Sequence, residues 1–116
     1  MDVAIERIQK LLIITLTGSL DSNSTFSLNR FLMDEDSTYD SIIIDLRKIE
    51  YINSTGVGLL MSLYKRHKYV VLILESDYSS TRENLKYLNI EELFDIASDL
   101  NSAMGIVTRE LNRNKG

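Results

Sequence analysis

Cysteine and proline are both absent from this 116-residue sequence, and histidine occurs once, as His67. Without cysteine the chain can form no disulfide, no thiolate metal site and no cysteine nucleophile. One histidine and scattered carboxylates also offer no set of metal ligands at a usable spacing. We therefore expect neither a metal ion nor another cofactor.

Long apolar runs and an excess of positive charge are missing as well. No stretch approaches the roughly 20 apolar residues that cross a bilayer, and the opening MDVAIERIQKLLI lacks the basic start and cleavage pattern of a signal peptide. The net charge of −4 gives no general attraction to nucleic acid or anionic lipid. These features predict a cytoplasmic protein whose partners include neither membrane nor nucleic acid.

The remaining composition, 44% hydrophobic and 26% charged, is typical of one globular domain over residues 1–116. Four segments read as strands. Residues 3–8 alternate weakly and suggest an edge strand, and LLIITLTG is an apolar, β-branched strand that stops at Gly18. SIIIDL and YVVLIL are continuous apolar runs, which indicate strands buried on both faces of a sheet.

Helical patterns separate these strands. Ser22 or Ser24 is placed to cap a first helix, and a second follows the INSTG segment. Ser80, three residues before Glu83, suggests a capping box for another helix. LFDIA then reads as a short last strand, with a closing helix over SDLNSAMGIVTREL. The alternation predicts an α/β domain with a mainly parallel central sheet of four or five strands, flanked by helices.

The segment IEYINSTGVGLLMSLYKR, residues 49–66, carries the candidate chemistry. A nucleophilic Ser54 would need a base within hydrogen-bonding reach. His67 lies 13 residues along the predicted helix, roughly 20 Å away, and we expect it to be solvated near the helix end. A serine hydrolase is therefore a minor alternative.

Two phosphate-handling alternatives are also weak. Gly56-x-Gly58 lacks the third glycine of a dinucleotide fingerprint and the Lys-Ser/Thr pair of a nucleotide-binding loop. Asp45, expected at a strand end, could accept phosphate as in a receiver domain. The sequence lacks the acidic pair and the lysine that such a domain needs, so Asp45 is more simply read as orienting a loop.

A helix cap remains the simplest interpretation of Ser54 and Thr55. A hydroxyl at the start of a helix accepts hydrogen bonds from free backbone N–H groups. A phosphoryl group at the same place would be stabilised by those groups and by the helix dipole. The sequence is therefore compatible with a plain cap and with a reversible binding switch.

Three segments together resemble STAS domains, and specifically the bacterial anti-sigma factor antagonists. They are GSLDSNS, IIIDLRKIEYINSTGVGLLMSLYKR and LKYLNIEELFDI, and the resemblance runs from about Val3 to Val107. Its most specific part is the apolar strand ending in Asp45-Leu46, followed by an aromatic residue and INSTGVG at residues 52–58. The resemblance implies a STAS core over about residues 3–107 with a C-terminal helix running to residue 116.

In that family the serine of the motif is phosphorylated by a partner kinase that is also the anti-sigma factor, and a serine/threonine phosphatase removes the phosphate. The resemblance implies that Ser54 is the acceptor and that Asp21 lies beside it. It also implies a non-enzymatic protein, acting as a monomer or weak dimer. Partner contacts are expected around the phosphorylation site, at Asp21, Asn53, Thr55, Gly56, Val57 and Gly58.

Asn53 departs from the family, which usually has aspartate before the acceptor serine. Asparagine keeps the size and the capping ability but not the charge, which would either weaken kinase recognition or reduce repulsion of a phosphate at Ser54. An alternative within the same fold is an accessory subunit of a transport or stress-sensing complex.

Overall fold

The computed structural model describes residues 1–35, 39–75 and 92–113. Their secondary structure, in chain order, is β1 (Asp2–Ile8), β2 (Leu11–Leu20), α1 (Ser22–Glu35), β3 (Ser41–Ile52), α2 (Ser54–Arg66), β4 (Tyr69–Ile73), β5 (Asp95–Ala97) and α3 (Leu100–Arg113). The predicted capping box at Ser80 and Glu83 lies outside the described residues.

The strands form one five-stranded sheet in the order β1-β2-β3-β4-β5. β1 pairs antiparallel with β2 through a hairpin, and every other neighbouring pair is parallel. The predicted mostly parallel sheet and the edge position of the first strand are confirmed. Because parallel strands need crossover connections, α1 and α2 each return the chain from the carboxyl edge of the sheet to its amino edge.

Two apolar layers enclose the sheet. Alternate residues of β2 and β3 pack with α1 and α2 in the larger layer, which includes Leu32 and Leu60. The opposite residues of β2, β3 and β4 pack with Ala103 and Val107 of α3. The continuous apolar runs at 41–46 and 69–74 follow from this arrangement, since both faces of β3 and β4 are covered.

β3 is longer than the sequence suggested, because it continues for six residues beyond Leu46. Two register shifts relative to β2 interrupt the pairing, the first where Thr15 and Thr17 pair with Asp45 and Lys48. At this bulge Asp45 accepts hydrogen bonds from the backbone N–H and the guanidinium of Arg47, at 2.8–3.0 Å. Partial burial raises the pKa of Asp45, but these bonds outweigh it and leave the pKa below its ordinary value. Asp45 thus stabilises a bulge within the strand rather than ending it.

A second expectation, that His67 is solvated, is wrong. This residue lies at the C-terminal end of α2 and is only 8% exposed. Its Nδ1 lies 2.9 Å from the carbonyl oxygen of Tyr39, which precedes β3. His67 therefore ties the C-terminal end of α2 to the chain entering the sheet. It stands at the opposite end of α2 from Ser54, so the two side chains do not form a Ser–His pair.

Gly56 lies where α2 passes closest to the end of β2. A β-carbon at this position would stand 2.6 Å from the carbonyl oxygen of Leu20 and 2.9 Å from side-chain atoms of Leu20 and Ile52. A backbone oxygen cannot move aside without disturbing the strand. Gly58, two residues further on, has nothing within 4 Å of the corresponding position.

These two glycines provide a matched test of the packing. We expect Gly56→Ala to lower the free energy of unfolding by about 3 kcal/mol, because overpacking against backbone cannot relax cheaply. Gly58→Ala should raise it by about 0.5–1 kcal/mol, because alanine is the better helix former. Urea denaturation of both variants and the wild type measures the difference. Similar effects at the two positions would contradict the packing described for Gly56.

Candidate functional site

α2 begins with a cap that is Asn53, not Ser54. The backbone of Asn53 is extended, and its side-chain oxygen accepts a hydrogen bond of 3.1 Å from the N–H of Gly56. Its carbonyl oxygen accepts the first helical bond, from Val57 at 3.0 Å. Ser54 is therefore the first residue inside the helix, and its hydroxyl has no capping bond to make.

α1 begins in a similar way at the end of the neighbouring strand. Asp21 precedes the helix, and its carboxylate accepts hydrogen bonds from the backbone N–H and the hydroxyl of Ser24 at 3.0 and 3.1 Å. The Ser24 hydroxyl oxygen in turn lies 2.9 Å from the N–H of Asp21, in the reciprocal arrangement of a capping box. The sequence had suggested Ser22 or Ser24 as the cap residue, but the cap residue is Asp21.

The two helix starts lie side by side at the carboxyl edge of the sheet. The N–H of Asn53 donates to the carbonyl oxygen of Leu20 at 3.2 Å. The hydroxyls of Ser22 and Thr55 share a hydrogen bond of 3.2 Å. The structure thereby brings the loop holding Asp21 to the start of α2, although the two are separated by more than 30 residues in the chain.

Ser54 and Thr55 are both exposed but differ in their contacts. The Thr55 hydroxyl is engaged with Ser22, whereas no hydrogen bond holds the Ser54 hydroxyl among the described residues. A group transferred to Ser54 would therefore displace no existing side-chain contact of that residue. Of the two adjacent hydroxyls, Ser54 is the more accessible to chemistry.

The other residues expected near the site divide into two groups. Gly56 and Val57 are buried and contact the rest of the chain. Gly58 is exposed on α2 and lines a groove between α1 and α2. The groove has a volume of about 320 Å³, and its wall on α1 includes Phe26, which is 66% exposed. This wall was not predicted, because a single exposed apolar residue on a helix does not by itself indicate a contact surface.

The electrostatics of the site combine one nearby carboxylate with two positive helix ends. The hydrogen bond from the backbone N–H of Ser24, followed by that from its hydroxyl, lowers the pKa of Asp21. Asp21 is therefore ionised at neutral pH. The first turn of α2 contains no acidic residue, and its cap, Asn53, is uncharged. An anion at Ser54 would meet the favourable end of a 13-residue helix and the unfavourable charge of Asp21.

No three side chains of histidine, aspartate or glutamate cluster as metal ligands within residues 1–35, 39–75 and 92–113. Across the same ranges, no helix combines the length and the apolar character needed to cross a membrane.

The profile of the STAS domain matches residues 2–103. The chain belongs to the STAS domain family. Among curated proteins, none matches the sequence significantly.

Solved structures of anti-sigma factor antagonists share the fold of this STAS domain. An antagonist from Mycobacterium paratuberculosis is 18% identical, with a TM-score of 0.80 over 92% of this chain and 93% of its own. The anti-sigma factor antagonist SpoIIAA in its unphosphorylated form is 14% identical, with a TM-score of 0.69 over 93% of this chain and 98% of its own. The phosphorylated form of SpoIIAA, a Bacillus cell fate determinant, is 17% identical, with a TM-score of 0.66 over 91% of this chain and 99% of its own.

The cap assignment in this STAS domain has a direct test. Asn53→Ala should lower the free energy of unfolding by about 1 kcal/mol, because the N–H of Gly56 loses its acceptor. Ser54→Ala should change it by less than about 0.5 kcal/mol, because its hydroxyl caps nothing. Denaturant unfolding of the two single variants separates the roles. A larger loss for Ser54→Ala than for Asn53→Ala would contradict the assignment.

Proposed function

We propose that this protein is an anti-sigma factor antagonist whose binding to its partner is switched by phosphorylation of Ser54. The partner is an anti-sigma factor that also acts as a serine kinase, and a serine/threonine phosphatase reverses the modification. The protein itself catalyses no reaction and works in the cytoplasm. The observation that carries the proposal is the exposed hydroxyl of Ser54 in the first turn of α2 of a STAS fold, which makes no hydrogen bond to any described residue.

The contact surface in this proposal consists of the residues exposed around the two helix starts. Asp21, Asn53, Ser54 and Thr55 form its centre, and Gly58 extends it along α2. Gly56 and Val57 are buried and contribute indirectly, because their packing fixes the position of the first turn of α2. The partner thus meets a surface whose backbone is already held by the two caps and by the Ser22–Thr55 hydrogen bond.

Phosphorylation would change this surface chiefly in charge. A phosphoserine carries about −1.5 to −2 at neutral pH and three strong acceptor oxygens. The N–H groups of the first helical turn and the helix dipole stabilise such a group, so α2 can remain folded. The partner then faces a bulky anion beside the ionised Asp21, where it previously met an uncharged hydroxyl. Binding is lost through charge and volume at the contact, without unfolding of the domain.

The test begins with capture of the partner. Tagged wild-type protein is used as bait in an extract of the source cells, and the bound serine kinase is identified and purified. We expect the purified kinase and ATP to transfer one phosphoryl group to Ser54, measured by mass spectrometry, and none to Ser54→Ala. We also expect Ser54→Ala to bind the kinase about as tightly as wild type and Ser54→Asp to bind at least about tenfold more weakly, since it places charge in the contact.

Thr108→Asp provides the matched control, because it adds the same charge to an exposed position on α3. Its affinity for the kinase should equal that of the wild type. Equal affinity of Ser54→Asp and Ser54→Ala at unchanged stability would refute the switch. Hydrolysis of generic esters that depends on Ser54 would instead favour the enzyme alternative.

Asn53 provides a separate prediction about the modified state. Asn53→Asp should be nearly silent in the unmodified protein, because asparagine and aspartate cap almost equally well. With phosphate on Ser54, the same change should lower the melting temperature further, because two negative charges about 5 Å apart repel each other even near the surface. Melting of both proteins at low salt, each with and without phosphate, makes the comparison. Equal shifts in the two states would show that residue 53 does not sense the phosphate.

A further inference from the structure

β1 is the most exposed of the five strands in this sheet. It occupies one edge, and among the described residues it pairs only with β2. Six of its seven residues are exposed, and the seventh, Ile5, is only partly buried. Among the described residues no second strand pairs with the outer edge of β1, and an exposed edge of this kind can accept another strand.

A cleft of about 810 Å³ separates the face of β1 that carries Ile5 from α1. Its apolar wall includes Val3 and Ile5 of β1 and Leu28 and Phe31 of α1. Val3 is 40% and Phe31 43% exposed, so apolar surface faces the opening of the cleft. The cleft exists because α1 packs against α2 and β2 and leaves β1 uncovered. An added strand would point every second side chain into this space.

The opposite face of β1 has a different character. Asp2 and Glu6 lie on that face together with Ala4 and Ile8, because side chains alternate along a strand. Arg7 lies on the cleft face with Val3 and Ile5. A strand paired with β1 would therefore meet two carboxylates on one face and mainly apolar side chains on the other.

A second copy of this chain fits that pattern poorly. When two β1 strands pair antiparallel about a two-fold axis, the same face of each strand lies on the same side of the pair. Even-numbered residues of one strand then lie opposite even-numbered residues of the other, and odd-numbered residues lie opposite odd-numbered ones. A pairing centred on Ala4 sets Asp2 opposite Glu6, and one centred on Glu6 sets two Glu6 side chains together. Centring on Ile5 still leaves Asp2 and Glu6 as diagonal neighbours. Like charges opposite each other destabilise strand pairs, so the acidic face disfavours self-association.

We propose that β1 and the cleft beside it form a strand-addition site for an extended peptide segment with alternating basic and apolar residues. The backbone of the segment pairs with the free edge of β1. Its basic side chains lie beside Asp2 and Glu6, and its apolar side chains fill the cleft against Phe31. Main-chain hydrogen bonds supply affinity in this binding mode, while the alternating side chains set the preference. The cleft borders the surface around Ser54, because Asp21 lines it, but strand addition at β1 requires neither Ser54 nor its phosphate.

The probe is a blocked seven-residue peptide of alternating lysine and valine, titrated into the full chain at low salt. We expect saturable binding, with NMR shift changes centred on β1 and on Phe31. A peptide of alternating glutamate and valine should bind roughly tenfold more weakly, because it places like charges opposite Asp2 and Glu6. Replacing the central valine by proline should abolish binding, because proline lacks the N–H and breaks strand pairing.

Charge reversal provides the complementary test. The double variant Asp2→Lys/Glu6→Lys should prefer the glutamate–valine peptide over the lysine–valine peptide. The matched control is the double variant Glu92→Lys/Asp95→Lys, which makes the same change in net charge at exposed residues in or near β5, the strand at the opposite edge of the sheet. This control should keep the peptide preference of the wild type. Phe31→Ala should weaken binding of the lysine–valine peptide several-fold, and circular dichroism checks that each variant is folded.

Three results would overturn the proposal. One is equal affinity for the alternating peptide and for a peptide of the same composition with its lysines grouped, which would indicate attraction by charge alone. Another is an unchanged preference in the Asp2→Lys/Glu6→Lys variant. The third is a concentration-dependent dimer of the wild type with protected β1 amides, which would make a second copy the occupant of the edge.

Discussion

The contact between Gly56 and the carbonyl oxygen of Leu20 constrains much of the candidate site. A β-carbon at residue 56 would stand 2.6 Å from that oxygen, so only glycine lets the first turn of α2 come so close to the end of β2. The same approach allows the N–H of Asn53 to reach the Leu20 carbonyl and the hydroxyl of Thr55 to reach Ser22. Without it, the starts of α1 and α2 would separate, and the loop holding Asp21 would no longer lie beside the start of α2.

The pattern of apolar residues predicted the fold because it reflects burial directly. Residues 42–44 and 70–74 are apolar in succession, and short runs of this kind are typical of strands that are covered on both faces. The helical spacing after Gly56 likewise placed Ser54 at a helix start. Both inferences depend on local patterns of apolar residues, a continuous run in one case and a spacing of 3.6 residues in the other.

The errors concern features that depend on distant contacts or on one pair of backbone angles. Asn53 and Ser54 are both capable caps, and the extended backbone of Asn53 decides between them. His67 is buried, and its ring lies against the carbonyl oxygen of Tyr39, which is 28 residues away in the chain. Gly56 was expected to admit a partner, yet the close neighbour is Leu20 of the same chain. No periodicity in the sequence carries this information.

The order of the strands has a consequence for synthesis of the chain. The sheet order β1-β2-β3-β4-β5 is also the order in the sequence, so each strand pairs with the one made just before it. As the chain leaves the ribosome from its N-terminus, the hairpin of β1 and β2 can form first, and each later strand has an existing edge to join. No strand has to be inserted between two that have already paired. The nascent sheet therefore grows in one direction, away from β1, and the edge left on that side by each new strand is covered by the next one.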